Sequence, residues 1–144
     1  MDQKAKKAMK RIEDQYFSKF KNKSHKEKKV IFRKALILAH EYNIQQWVHF
    51  VQGTLYWLDK KSEQALEEHN SALAIDSSFH YSWYGKGLAL DDLGRKQEAL
   101  AAFNKSIKLN SKFAHAWNGK GVVLDDLGKK RAALDAFNKA IELD

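Results

Sequence analysis

The sequence predicts an all-α fold, in which antiparallel helix pairs stack into an array. The chain of 144 residues contains no proline and only seven glycines. This composition favours long helices over turn-dense β architectures. Apolar residues recur at helical spacing along most of the chain. An internal repeat, described below, indicates that the helices are arranged in stacked pairs.

The first element is a helical hairpin over residues 1–42. An apolar stripe through Ala5, Ala8 and Ile12 predicts the first helix. Ser24 followed by Glu27 has the spacing of a capping box, which predicts the start of the second helix. Because the hairpin lacks the residues that mark the later repeats, we interpret it as a cap or a degenerate repeat at the N-terminal end.

Most of the net positive charge lies in this hairpin. Residues 1–34 carry 13 Lys or Arg against 4 acidic residues, whereas residues 35–144 carry 13 against 14. We interpret this basic patch first as a solvated lysine-rich face. An acidic protein or an anionic membrane surface is the next alternative. Nucleic acid comes third, because few of the aromatic residues and arginines that contact bases accompany the lysines. The patch consists of Lys4, Lys7, Lys10, Arg11 and Lys21.

A period of 34 residues relates the remaining elements. Between residues 80–110 and 114–144, 18 of 31 positions are identical, and a weaker copy precedes them. We therefore expect three repeats, at 43–76, 77–110 and 111–144. Each repeat is predicted to hold two helices. In the middle repeat, Trp83, Gly87 and Leu90 lie on one face of the first helix, and Gly94 marks its end.

The order of these residues resembles the tetratricopeptide repeat family. The resemblance is specific over residues 77–144 and weaker over 43–76, where His49 and His69 replace a tryptophan and an aromatic residue. Serine, at Ser77 and Ser111, stands where the family usually has proline. The matching series is Trp83, Gly87, Leu90, Gly94, Ala99, Phe103, Ser106, then Trp117, Gly121, Leu124, Gly128, Ala133, Phe137, Ala140.

Gly-Lys-Gly occurs twice, at residues 85–87 and 119–121. A phosphate-binding loop requires a preceding strand and a Ser or Thr after the lysine, and neither is present. We expect Gly87 and Gly121 to allow two helices to approach closely. The sequence gives no physical reason for Gly85 and Gly119.

The family resemblance implies that the helix pairs form a right-handed superhelical array. It also implies that the first helices of the repeats line a concave groove, which holds an extended peptide or a partner's helix. Aromatic residues at one end of this groove and acidic residues along one edge favour a partner with apolar and basic residues. The alternative for Trp47, Phe50 and Trp57 is burial against the N-terminal helices. No clamp for a carboxylate terminus is expected. The predicted groove residues are Trp47, Phe50, Trp57, Tyr81, Tyr84, Leu88, Asp91, Asp92, His115, Asn118, Val122, Asp125 and Asp126.

No catalytic motif is present in the sequence, and cysteine is absent. The six histidines include no pair at i, i+4, so we expect neither a metal site nor a cofactor. The predicted function is a non-enzymatic interaction module or adaptor. The alternative is a nucleic-acid or anionic-surface binder that acts through residues 1–34. We expect a cytoplasmic protein, because no signal-like or membrane-spanning apolar run occurs.

The final predicted helix has no polar helix after it. Repeat arrays generally need such a cap to stay soluble. We therefore expect Phe137, Ile141 and Leu143 to be partly exposed. Self-association of two chains, coverage by a partner, and continuation in a longer protein are the three alternatives.

Overall fold

A computed structural model describes residues 2–17 and 22–144, and within these ranges the chain forms eight α-helices and no strand. The predicted all-α fold is confirmed. Each helix packs on the next, and α3, α5 and α7 also contact one another in succession. The helices are α1 Gln3–Phe17, α2 His25–Glu41, α3 Gln45–Leu58, α4 Ser62–Ile75, α5 His80–Asp92, α6 Lys96–Leu109, α7 Ala114–Asp126 and α8 Lys130–Leu143.

The predicted capping box at the start of α2 is confirmed. The backbone N–H of Glu27 donates to Ser24 Oγ at 3.3 Å, and the backbone N–H of Ser24 donates to Glu27 Oε2 at 2.8 Å. These hydrogen bonds satisfy two backbone donors that the first helical turn leaves without partners. Because Ser24 donates to the ionised carboxylate, the pKa of Glu27 falls to about 2.

A residue in the left-handed backbone conformation follows the first helix of each repeat. Gly94 and Gly128 both have φ of 74°, as their positions after the last apolar residue predict. In the first repeat Lys60 takes this conformation with φ of 60°. The chain then turns directly into the second helix, and the Arg95 backbone N–H donates to the Leu90 carbonyl at 2.9 Å.

The apolar core runs along the stack in three clusters. The first joins the N-terminal hairpin to α3 and is the richest in aromatic residues. The second lies between α4, α5, α6 and α7 and centres on Phe103. The third, between α7 and α8, is smaller. The pairs α3–α4, α5–α6 and α7–α8 lie within residues 43–76, 77–110 and 111–144, and the division into domains remains a prediction.

Across the ranges that the structure describes, we find no helix with the length and apolar character needed to span a membrane.

Candidate protein-binding surface

The glycines of the first helices lie against rings of the second helices. A Cβ atom added at Gly85 would overlap the imidazole of His69, and one added at Gly53 would lie 3.0 Å from the same ring. His69 in α4 is therefore held between the backbones of α3 and α5. This contact supplies the reason for Gly85 that the sequence did not give.

Phe103 of α6 is held in the same way one repeat later. A Cβ added at Gly87 or at Gly119 would lie 2.6 Å from its ring. Phe137 of α8 lies against Gly121, where an added Cβ would be 2.7 Å away. Helices α5 and α7 thus each carry one glycine for the ring of their own repeat and one for the ring of the preceding repeat, whereas α3 carries only Gly53, for the ring of its own repeat. This packing fixes the spacing of α3, α5 and α7, whose remaining faces form the candidate binding surface.

The N-terminal end of this surface is closed. Trp47 and Phe50 are only 0% and 3% exposed. Their rings pack against Phe79, with centroids 5.0 Å and 5.8 Å from its ring. Trp47 and Phe50 are therefore buried, and the expectation that these two residues line an open groove is wrong. Trp57 is half-buried.

Helix α1 contributes to this closure. Ile12 is fully buried in the same apolar cluster as Trp47. Burial is the main cause that raises the pKa of Tyr81, and the carboxylates of Glu13 and Asp14 add to it. Burial also raises the pKa of Glu13 itself. The C-terminal part of α1 therefore lies beside the half-buried Tyr81 at this end of the surface.

The surface is open along α5 and α7. Tyr84 and Leu88 are half-buried, Asn118 is exposed, and Val122 is 40% exposed. Burial raises the pKa of the Tyr84 phenol to about 12, so the hydroxyl is neutral at physiological pH. These four residues, which we call the open groove, join apolar area to a neutral hydroxyl and an amide.

The acidic edge is partly neutralised, which the sequence did not predict. Lys96 binds Asp91 at 2.5 Å and reaches across to Asp126 at 2.7 Å. Lys130 binds Asp125 at 2.6 Å. The two carboxylates hold the pKa of Lys96 above its usual range. The exposed Asp92 is the fourth carboxylate of this edge. Two lysines therefore offset the charge of four carboxylates in part, and a reduced negative charge remains.

The Gly-Lys-Gly segments lie inside α5 and α7 and form no loop. Lys86 is positioned over the indole of Trp83, with its Nζ 5.3 Å from the ring centroid, and Lys120 stands 5.4 Å over Trp117. These lysines make cation–π contacts. A phosphate-cradling loop at these positions is excluded.

A cavity of about 490 Å³ opens where α7 and α8 meet the end of the groove. Ile141 on its rim is 73% exposed, and Phe137 and Leu143 are half-buried. The expected exposure of these three residues is confirmed. The cavity, which we call the terminal cavity, is lined by Tyr84, Ala114, His115, Asn118, Phe137, Ala140, Ile141 and Asp144.

The basic side chains of α1 point to solvent. Lys4, Lys7, Lys10 and Arg11 are exposed, opposite the buried Ala5, Ala8 and Ile12, while Lys21 lies outside the described residues. No group of three His, Asp or Glu side chains among the residues that the structure places could hold a metal ion.

Sequence reasoning missed Phe79 and Phe113. Both are 7% exposed and lie just before α5 and α7, where they pack between successive repeats. Their recurrence at the 34-residue period was a signal that could have identified them.

Similarities to known proteins agree with this architecture. Residues 84–144 match the sequence model of the tetratricopeptide repeat family. The chain matches none of the curated proteins in sequence. Among solved structures, the second TPR of Spaghetti (RPAP3), bound to the HSP90 peptide SRMEEVD, superposes with a TM-score of 0.68 at 21% identity. That match covers 74% of this chain and 98% of the other.

Two further structures show the same fold. MamA superposes with a TM-score of 0.66 at 18% identity, covering 96% of this chain and 84% of MamA. YrrB, described as a TPR protein with an unusual peptide-binding site, superposes with a TM-score of 0.64 at 24% identity, covering 83% of this chain and 60% of YrrB. Residues 84–144 therefore match the tetratricopeptide repeat family, and the described residues of the chain have the fold of a tetratricopeptide repeat array.

Proposed function

We propose that the protein is a non-enzymatic protein-interaction module that binds a segment of a partner along the open groove. The observation that carries this proposal is the accessible apolar surface of Leu88 and Val122, which lies next to polar groups at Tyr84 and Asn118. Apolar area with a few placed polar groups is the usual composition of a peptide-binding surface. The peptide complex of the Spaghetti (RPAP3) repeats supports this class of function without identifying the ligand here.

The proposed partner segment combines apolar side chains with Lys or Arg. Apolar side chains would cover Leu88 and Val122. Basic side chains would meet the edge formed by Asp91, Asp92, Asp125 and Asp126, where two lysines offset only part of the charge. Complementary charge of this kind fixes register and speeds association more than it adds affinity. An adaptor or scaffold role follows from the same surface.

Titration of fluorescent peptides tests the proposal. Peptides of equal length that alternate Leu with Lys, Leu with Glu, or Ser with Lys are compared by fluorescence anisotropy. We expect the Leu–Lys peptide to bind best. Val122→Glu should weaken this binding at least tenfold, because a carboxylate would replace accessible apolar area at the centre of the open groove.

Leu134→Glu is the matched control. Leu134 is 58% exposed on α8 and does not line the groove or the terminal cavity. The same chemical change at this site should leave affinity within twofold. Equal losses in both variants, or a preference for the Leu–Glu peptide, would contradict the proposal.

A second candidate function rests on the exposed row Lys4, Lys7, Lys10 and Arg11 along α1. This row presents cations on the face of α1 opposite its buried residues. Such a face can bind an anionic polymer through counterion release, and the affinity would then fall steeply with salt. This second function is tested by retention on heparin at 50 mM and at 300 mM NaCl. The native chain is compared with a variant in which these four residues are changed to Gln.

A further inference from the structure

A phenylalanine before α5 and another before α7 fill the space between neighbouring repeats. Phe113 precedes α7, and its ring centroid lies 5.3 Å from those of Tyr81 and Tyr84 in α5. Phe79 holds the same place one repeat earlier, where it packs on α3. Both rings are almost completely buried.

The terminal cavity is this same place one repeat later. His115 and Asn118 correspond to Tyr81 and Tyr84 by the 34-residue shift, and both line the cavity. Its opposite wall is the apolar side of α8, including Ala140 and Ile141. The cavity therefore matches the space that an aromatic side chain fills elsewhere in the stack.

The spacing to the next contact is fixed as well. Gly85 follows Phe79 by six residues, and Gly119 follows Phe113 by six. Through these glycines each incoming helix lies against the ring of the preceding second helix. Phe137 has Gly121 on one side, while it also lines the terminal cavity. A helix entering there needs a glycine six residues after its aromatic residue, since a larger side chain would collide with Phe137.

A charge completes the pattern. Lys96 reaches Asp126 of the incoming helix α7, seven residues after Gly119. The 34-residue shift carries Lys96 to Lys130. Lys130 contacts Asp125, and its side chain is 74% exposed, so it can also reach an acid on a further helix.

We propose that the terminal cavity binds, in trans, a partner helix that begins with an aromatic residue. This helix carries a glycine six residues after the aromatic residue and an acid seven residues after the glycine. Among residues 1–144, the two segments with that spacing are 79–92 and 113–126, and both are already packed in the stack, so neither is the proposed occupant. The inference deepens the proposed function and rests on it in part, since Tyr84, His115 and Asn118 belong to the predicted groove as well.

A blocked, fluorescent copy of residues 112–127, which contains Phe113, Gly119 and Asp126, is the probe. Titrated with the full chain, it should bind saturably. In the peptide, Gly119→Leu and Phe113→Ala should each weaken binding at least tenfold. Asn118→Ala in the peptide should have little effect. In the protein, Ile141→Lys should abolish binding, and Leu134→Lys should not. Lys130→Glu should weaken binding and be rescued by a peptide carrying Asp126→Lys.

Circular dichroism first establishes that each protein variant keeps its helix content. Val122→Glu separates this inference from the proposed function, because Val122 does not line the cavity. If the 112–127 probe fails to bind while Leu–Lys peptides bind in a Val122-dependent way, only this inference is overturned. If neither peptide binds, both fail. An equal loss of probe binding in Ile141→Lys and Leu134→Lys would also overturn the inference. So would a doubled mass in light scattering that Ile141→Lys reverses, because the occupant would then be a second copy of this chain.

Discussion

The ring of Phe103 lies so close to the backbone of Gly119 that a Cβ added there would be 2.6 Å from its Cε1 atom. A Cβ added at Gly87 would also lie 2.6 Å from this Cε1 atom. Phe103 is 1% exposed and belongs to the core cluster shared by two repeats. The contact between Phe103 and Gly119 therefore links one helix pair to the next.

Gly119→Ala is expected to destabilise the protein, although alanine normally favours a helix by about 1 kcal/mol over glycine. The added methyl group would overlap the Phe103 ring, and overpacking of this kind costs about 1–3 kcal/mol. The loss should appear in the free energy of unfolding, measured with urea. Asn118→Ala, at the exposed neighbouring position, serves as the control and should be nearly neutral or slightly stabilising.

The Phe103→Leu background tests whether the ring causes this loss. Leucine is smaller, so Gly119→Ala should cost less there than in the native chain. The difference between the two costs is the coupling energy, which reaches about 0.5–3 kcal/mol for residues in contact. An unchanged cost in both backgrounds would mean that the ring does not explain the glycine.

Two buried serines are expected to respond in opposite ways to alanine. Ser82 Oγ is buried without a hydrogen-bond partner among the residues that the structure describes, whereas Ser106 Oγ donates to the His80 carbonyl at 2.9 Å. Ser82→Ala should therefore stabilise the protein and Ser106→Ala should destabilise it, each by about 1 kcal/mol. Thermal unfolding of the two variants under one condition decides the matter. A loss of stability in both would contradict the prediction.

The helix pairs were predictable because the repeat reports the same packing more than once. Gly94 and Gly128 mark helix ends by their position alone, and the capping box at Ser24 is a purely local signal. Gly85 and Gly119 could not be explained in advance, since the rings that they contact belong to the preceding repeat. Local periodicity reports which face of a helix is apolar, but it does not report which neighbour covers that face.

The groove was less predictable for the same reason. The spacing places Trp47 and Phe50 on one face of α3, but the fold buries that face beneath Phe79 and the N-terminal helix. Lys96 belongs to α6 and is not one of the predicted groove residues. Its ion pair with Asp126 forms only because α6 packs beside α7. Contacts of this kind depend on how the helices pack together. The residue type at a single position of the sequence does not report that packing.

Lys96→Gln should strengthen the binding of basic peptides and make it more sensitive to salt. Removal of the cation leaves Asp91 and Asp126 without this ion pair, so the groove edge becomes more negative. The stability cost should stay below about 1 kcal/mol, since exposed ion pairs contribute little. Anisotropy titrations of the Leu–Lys peptide at 50 mM and 300 mM NaCl measure the effect. Lys139→Gln, which breaks an exposed pair with Glu142 on α8, is the control.

His69→Phe is expected to stabilise the protein and to reduce its sensitivity to acid. The imidazole is 1% exposed, and its Nδ1 atom has no hydrogen-bond partner in the described part of the chain. Phe103 shows that a phenyl ring fits the same place between two glycines. At neutral pH the gain should be about 1–3 kcal/mol, the usual cost of a buried polar group left unpaired.

The acid effect follows from the sign of the pKa shift. Burial lowers the pKa of His69 from 6.5 to about 3, so the unfolded chain takes up a proton between these pH values and the folded chain does not. Above pH 6.5 this titration leaves the free energy of unfolding of the native chain unchanged. As the pH drops through this window, the free energy of unfolding falls by up to about 1.4 kcal/mol per pH unit. His80, whose pKa burial lowers to about 4, acts in the same direction in both proteins and cancels in the comparison. Urea unfolding at pH 7.5, 6.5, 5.5 and 4.5 should therefore show the advantage of His69→Phe growing as the pH falls. A constant advantage would mean that His69 is already protonated in the folded state or stays neutral in the unfolded one.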